Sequence, residues 1–188
     1  MLTLPQREIH SVRHGELGAQ VWRARTGEPL SVLGPGRRIL AAALSGDGRL
    51  AATASEPGEI RLWNTDTGTE LWSTTAPGPV RVLALRPDQG QLAAATDRGE
   101  VLLWSLAERS PPTRFETGGH VVTLRYSPTG QRLVVQTSEW AHLVDLAGTP
   151  TVAGSLLMSG LTQPGGLRFE SDDGSRISVL VDRGPDDV

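Results

Sequence analysis

Two histidines near the start of the chain, His10 and His14, have the four-residue spacing of a helical zinc pair. The surrounding pattern predicts a strand instead, in which residues four apart lie about 13 Å from each other. No carboxylate follows at ligand spacing. Cysteine is absent, which excludes thiolate nucleophiles, disulfides and cysteine-based metal sites. We therefore expect no metal site and no cofactor.

Two further motifs resemble binding loops but lack essential positions. Asp172 and Asp173 could begin a calcium loop, yet position 12 of that loop needs Glu and is Arg183. We interpret this segment as a hairpin turn. Residues 34–38 lack the Gly-Lys-Ser/Thr of a phosphate loop, and the chain has no Gly-x-Ser-x-Gly elbow. The sequence therefore predicts a protein that is not an enzyme.

The composition fits an all-β domain. The chain has 188 residues, 38% of them hydrophobic, with 22 Gly and 13 Pro, which suits many short strands joined by turns.

A net charge of −3 without a basic patch argues against nucleic acid as a partner. The longest apolar run, residues 39–44, is far shorter than the roughly 20 residues of a membrane helix. No secretory signal is recognisable. We expect a cytoplasmic protein without membrane contact. All 18 basic residues are Arg, which is typical of a GC-rich, bacterial genome.

An internal repeat organises the chain. Trp22, Trp63 and Trp104 are 41 residues apart and each ends an apolar segment, and Val144 takes the corresponding place in the next repeat. Between them lie turn signals rich in Pro, Asp and Gly, in residues 44–50, 85–92, 126–133 and 169–177. The flanking segments are too short for helices, so each repeat is predicted to form four strands.

Together these features resemble a WD-repeat β-propeller with degenerate repeats of bacterial type. The Gly-His opening of that family is kept at Gly119-His120. Its Trp-Asp ending is altered, as Trp63-Asn64, Trp104-Ser105 and Val144-Asp145. The resemblance implies an all-β fold of four-stranded antiparallel blades, forming a partial or small propeller.

The chain holds about 4.6 such repeats. The predicted blades span approximately residues 1–33, 34–76, 77–118, 119–160 and 161–188, of which the first and last are partial. Three arrangements stay open. The chain is part of a longer protein, or two chains complete one ring, or the chain closes as a small four-bladed ring.

The resemblance also assigns roles to individual residues. Trp22, Trp63 and Trp104 are expected to pack between blades, and Asp97 and His120 to belong to the hydrogen-bond network within a blade. The family's upper rim would carry Arg98 and Glu139 in the turns between second and third strands. Glu116, Thr117 and His120 would lie in the connection between blades.

Trp140 is placed beside that rim, where an exposed Trp is a good interface anchor. The function that follows is a non-catalytic scaffold, which binds a protein or peptide through loops on one propeller face. Self-association that completes the propeller is a further possibility. The alternative is a propeller enzyme or small-ligand binder at the central channel. The apolar inner segments 40–44 and 82–85 argue against it.

Overall fold

The computed structural model describes residues 12–15, 18–23, 26–158 and 164–181. Within them every regular element is a strand, so none of these residues belongs to a helix that could cross a membrane. The seventeen strands are β1 (Val12–Gly15), β2 (Gly18–Arg23), β3 (Glu28–Leu33), β4 (Ile39–Leu44), β5 (Leu50–Ser55), β6 (Glu59–Asn64), β7 (Glu70–Thr75), β8 (Val80–Leu85), β9 (Gln91–Thr96), β10 (Glu100–Ser105), β11 (Thr113–Glu116), β12 (Val121–Tyr126), β13 (Arg132–Thr137), β14 (Trp140–Asp145), β15 (Thr151–Leu157), β16 (Pro164–Phe169) and β17 (Ile177–Val181).

The strands pair only with their sequence neighbours, always antiparallel, and form five sheets. Strands β4–β7, β8–β11 and β12–β15 make three four-stranded sheets, preceded by β1–β3 and followed by β16–β17. The first strands of the complete sheets, β4, β8 and β12, pack side by side. This is the arrangement of propeller blades around an axis, and it confirms the predicted all-β fold with four-stranded antiparallel sheets.

Each complete sheet begins with a tight hairpin whose turn is fixed by a short polar side chain. In the second sheet the Ser45 Oγ accepts the Leu50 amide at 3.0 Å and donates to Asp47 Oδ1 at 2.7 Å. In the fourth sheet the Ser127 Oγ accepts the Arg132 amide at 3.1 Å. These local bonds hold the hairpin at the place where the sequence puts its Ser/Pro-Asp/Gly signals.

The core lies between neighbouring sheets, where the apolar side chains of facing sheets pack together. One cluster joins the second and third sheets and includes Leu62, Leu83 and Trp104. Another joins the third and fourth and includes Leu103, Leu124 and Val144. Smaller clusters join the first sheet to the second and the fourth to the fifth. Neighbouring sheets therefore stabilise each other and place the loops at their ends at fixed positions.

Candidate protein-interaction rim

The connections at one end of the complete sheets follow a common plan. We call this end the rim, and it comprises the turns between second and third strands and the segments leading to the next sheet. In the second sheet the Ala76 amide donates to the Gly58 carbonyl at 2.9 Å. In the third, the Thr117 amide donates to the Gly99 carbonyl at 3.1 Å. Each rim turn is thereby tied to the segment that follows its own sheet.

Gly99 allows the closest of these approaches. Its φ is +81°, and a Cβ added there would lie 2.4 Å from the Gly119 carbonyl oxygen. Both the backbone conformation and the available space therefore require glycine. The contact seats the segment 117–120 directly on the β9–β10 turn.

Four of the predicted binding residues surround this contact. Arg98 is exposed in the β9–β10 turn, and Glu116 is exposed at the end of β11. Thr117 fixes the segment, since its hydroxyl lies 2.9 Å from the Gly99 carbonyl and 3.0 Å from the Gly119 carbonyl. His120 is exposed just before β12.

The other two, Glu139 and Trp140, lie at the β13–β14 turn of the fourth sheet. Thr137 holds this turn, because its Oγ1 accepts the Trp140 amide at 2.9 Å and the Glu139 amide at 3.3 Å. The Trp140 ring stacks on His142 with centroids 6.3 Å apart. The Nδ1 of His142 is 2.8 Å from the Ser155 Oγ. Trp140 nevertheless keeps much of its ring in solvent.

The two groups adjoin at Gly119. A Cβ at Gly119 would lie 3.6 Å from the Thr137 Cβ, which places the segment 117–120 against the turn that carries Glu139 and Trp140. The structure therefore brings all six predicted binding residues to one end of the third and fourth sheets.

The rim of the second sheet has its charges paired. Arg37 donates to Glu59 at 2.5 Å, and Arg38 lies 3.8 Å from Glu56. These pairs neutralise the rim of that sheet locally.

The charges on the rim of the third and fourth sheets are left open. Asp97, Arg98, Glu116 and Glu139 form no ion pair with any residue that the structure describes. These open charges are three carboxylates and one guanidinium, so the net open charge of this rim is negative.

The opposite end of the sheets carries side-chain bonds that join neighbouring sheets. Gln89 donates to Asp47 at 2.7 Å, and Thr129 donates to the Asp172 carbonyl at 3.0 Å, so both bonds join neighbouring sheets. Arg86 binds both carboxylate oxygens of Asp88, at 2.7 and 2.8 Å.

These bonds change the titration of the groups involved. The bond from Arg86 holds the pKa of Asp88 below its usual range. For Asp47, burial would raise the pKa, but the bonds from Ser45, the Arg49 amide and Gln89 outweigh it, so the pKa is lowered. These turns therefore serve to fix the sheets to one another.

The repeated Trp position lies between sheets. Trp63 and Trp104 are buried, 6% and 2% exposed. The Trp63 Nε1 donates to the Thr53 Oγ1 at 2.8 Å. Trp104 meets Trp72 edge to face, with centroids 6.5 Å apart. Trp22 is half-buried in β2, and no described sheet precedes its own.

Asp97 and His120 are not part of a buried hydrogen-bond network. Both are exposed. The Thr117 hydroxyl, rather than the His120 ring, makes the side-chain bonds that fix this connection, because Gly99 and Gly119 bring their carbonyls within its reach. The sequence pattern could not show this, since it depends on two loops meeting.

Other candidate sites gain no support from the geometry. The described residues contain no group of three or more His, Asp or Glu placed to hold a metal ion. His10 lies outside the described residues, and residues 172–174 lie in the turn between β16 and β17. A cavity of about 380 Å³ opens beside β4, β8 and β12, and Arg125 is the one charged residue lining it.

Sequence reasoning missed one surface. Strand β15 is exposed along its whole length, including Val152, Leu156 and Leu157. The available signal was the absence of any charged residue or proline between 151 and 157, in a strand at the outer edge of its sheet.

A family comparison identifies the chain. The family model described as "Outer membrane protein assembly factor BamB" (PQQ_2) matches residues 11–148. The chain belongs to this propeller family. It is a different propeller family from the WD-repeat proteins that the sequence resembles.

Similarity to individual proteins points to WD-repeat propellers. The chain is 25% identical over 167 residues to eukaryotic translation initiation factor 3 subunit I of Scheffersomyces stipitis, covering 88% of this chain and 46% of that protein. It is 34% identical over 99 residues to the small ribosomal subunit protein RACK1 of Candida albicans, covering 48% and 31%. The chain thus spans less than half the length of either relative.

A solved structure shows the same fold. The β-propeller domain of Myceliophteria thermophila Cps50 (Swd1) matches with a TM-score of 0.67 at 18% identity, over 93% of this chain and 62% of that one. The β-propeller prediction is confirmed. The bacterial type of the repeats and the cytoplasmic location stay predictions.

Proposed function

We propose that this propeller chain is a non-catalytic scaffold that binds a protein or peptide partner at the rim of its third and fourth sheets. The observation that carries the proposal is the contrast between the two ends of these sheets. At one end side-chain bonds, Gln89 to Asp47 and Thr129 to the Asp172 carbonyl, tie neighbouring sheets together. At the rim four charged side chains form no ion pair with described residues, and the Trp140 ring is partly open to solvent.

Relatives support a role in assemblies. Both the translation initiation factor 3 subunit and the small ribosomal subunit protein are named as parts of larger complexes. Broad recognition by loops on a rigid β scaffold is a common use of such architecture. Self-association that completes the propeller and a longer parent protein stay predictions.

The rim also indicates the partner's charge. Asp97, Glu116 and Glu139 outnumber Arg98, so a partner segment carrying Lys or Arg complements this surface. Trp140 supplies an apolar anchor, and exposed Trp residues often dominate binding energy at interfaces.

Position-specific cross-linking tests the proposal. A photo-reactive benzoylphenylalanine is introduced at Arg98 or Glu116 on the rim, and at Glu108 in the turn at the opposite end of the same sheet. We expect the rim positions to cross-link to one protein in a lysate of the source organism, while position 108 does not.

The partner identified in this way is then titrated against purified variants. Trp140→Ala should weaken binding about tenfold or more, and Glu116→Gln should weaken it less and reduce its salt dependence. Equal cross-linking from Glu108, or unchanged affinity of Trp140→Ala, would overturn the proposal.

A further inference from the structure

Strand β15 is an outer edge that nothing in the described chain covers. It is the longest strand, with seven residues, and pairs only with β14. Val152, Leu156 and Leu157 are 58%, 44% and 51% exposed. An uncovered edge of this length presents main-chain donors and acceptors to which another strand can pair.

The outer strands of the other sheets carry features that block such pairing. In β3, Pro29 follows Glu28, and Glu28 is ion-paired to Arg23 at 3.0 Å. Strand β11 has only four residues, of which two are charged. Proline, charges and short length are the usual means by which sheets prevent edge-to-edge association.

Strand β7 is protected in a different way. Glu70 is bonded to Arg61, and Trp72 packs against Trp104 of the next sheet. Neither device has a counterpart in β15. In β15, Gly154 stands where β7 has Trp72, because the two pair with the equivalent residues Leu143 and Leu62. Val152 likewise stands where β7 has Glu70.

The neighbouring strand carries no charged group beside most of this edge, from Trp140 to Val144. Leu157 lies opposite Trp140, and Ser155 lies opposite His142. The corresponding pair in the second sheet, Thr75 and Glu59, carries a carboxylate that binds Arg37 and Arg61. The β14–β15 hairpin therefore offers a largely apolar surface beside an open strand edge, and its one carboxylate, Asp145, lies opposite Thr151 at the turn end.

We propose that β15 binds an extended, uncharged peptide segment of a partner protein as an added fifth strand of the fourth sheet. Main-chain hydrogen bonds would supply affinity, and apolar side chains of the segment would contact Val152 and Leu157 on one face of the sheet and Leu156 on the other. This proposal goes beyond the binding at the rim and does not depend on it.

The length of the edge favours a peptide over a second copy of the chain. Strand β15 has seven residues. Stable interfaces between folded proteins use roughly 20–30 residues on each side. An extended segment needs no such area, because its backbone bonds directly to the edge. The absence of charge on β15 favours a segment without charge at its centre.

The probe is a capped, fluorescein-labelled peptide of seven alternating Thr and Val residues, titrated with the full chain by fluorescence anisotropy. We expect saturable binding. A second peptide of the same sequence, N-methylated at every residue, keeps the side chains but loses the strand-forming donors along both edges. We expect it to bind at least tenfold more weakly.

Two protein variants locate the site. Val152→Lys with Leu156→Lys places two charges on the edge at exposed positions, and we expect at least tenfold weaker binding. Thr75→Lys places a charge at an exposed position of β7 and serves as the matched control, with unchanged binding. Melting curves by circular dichroism show that each variant is folded. Glu116→Gln at the rim should also bind the probe normally, which separates this test from that of the rim.

Several outcomes would overturn the proposal. These are failure of the probe to bind, equal binding of the N-methylated peptide, or equal loss of binding in Thr75→Lys. Light scattering adds another, because a concentration-dependent dimer that is lost in the double Lys variant would show that a second copy occupies the edge.

Discussion

The outer halves of the second and fourth sheets have the same strand topology and register but different surroundings. In the second sheet, Trp72 packs on Trp104 of the next sheet, and Arg61 binds Glu59 and Glu70 across its other face. In the fourth sheet, Gly154 stands at the Trp72 position, and β15 is exposed throughout. The repeat thus fixes the backbone, while the side chains at a few outer positions decide whether a sheet edge is closed or open.

This difference separates residues that hold the propeller together from residues that are free to bind. Burial between sheets is the main stabilising contribution to repeat proteins, since each repeat contacts only its neighbours. An outer strand without buried side chains contributes little to stability. It can therefore carry apolar residues for recognition at low cost to the fold.

Replacing Trp104 should have the largest effect of the substitutions considered. Trp104 is 2% exposed and fills the space between the second and third sheets. We expect Trp104→Ala to lower the free energy of unfolding by about 3–5 kcal/mol, measured by urea denaturation. Trp140→Ala, the matched change in the exposed hairpin, should cost less than about 1 kcal/mol. Equal losses would contradict the division into closed and open halves.

The sequence predicts the sheets well because their signals are local. The spacing of Trp22, Trp63 and Trp104 sets the repeat, and the turn motifs set the hairpins within it. The state of β15 could not be predicted in the same way. Its apolar residues do not distinguish a buried strand from an exposed one, and their exposure depends on the absence of a packed neighbour such as Trp104.

The rim was predictable in position but not in detail. Its residues lie in connections that the repeat locates or, as Glu116 and Trp140 do, at the strand ends beside them. The contact of Gly99 with Gly119, however, joins segments 20 residues apart through backbone geometry. The roles of Thr117 and His120 follow from that contact, so they became visible only in three dimensions.

A second prediction concerns the bond that orients Trp63. Thr53 is buried, and its Oγ1 accepts the indole N–H at 2.8 Å. Thr53→Val keeps the shape but leaves that N–H without a partner, at a cost of about 1–3 kcal/mol. A stability of Thr53→Val equal to that of the wild type would show that the bond contributes nothing.

A substitution at Gly154 should raise the stability of the chain, by less than the changes above lower it. A Cβ at this position would meet no atom within 4 Å, and its backbone does not need glycine. Gly154→Val should therefore stabilise the chain by about 0.5–1 kcal/mol, because valine favours strands and restricts the unfolded chain. A loss of stability would mean that the edge is more closely covered than its exposure indicates.

The smallest effect we expect is a pH dependence of stability that arises in the second sheet and is absent from the fourth. The bond from Arg61 holds the pKa of Glu59 below its usual range, with Arg37 acting in the same direction. Because the folded-state pKa is lowered, the stabilisation is present above the unfolded pKa and is lost as the pH falls through the folded value. Its size should be below about 1 kcal/mol, as for exposed ion pairs.

Thermal melting of wild type and Glu59→Gln between pH 7 and pH 3 measures this contribution. The variant should lose a little stability at pH 7 and show a shallower decline below about pH 4.5. Glu139→Gln, at the open rim of the fourth sheet, should leave the profile of the wild type unchanged, since Glu139 has no ion pair among the described residues. If both variants flattened the profile equally, the acid sensitivity would belong to the net charge of the chain rather than to the closed outer half of the second sheet.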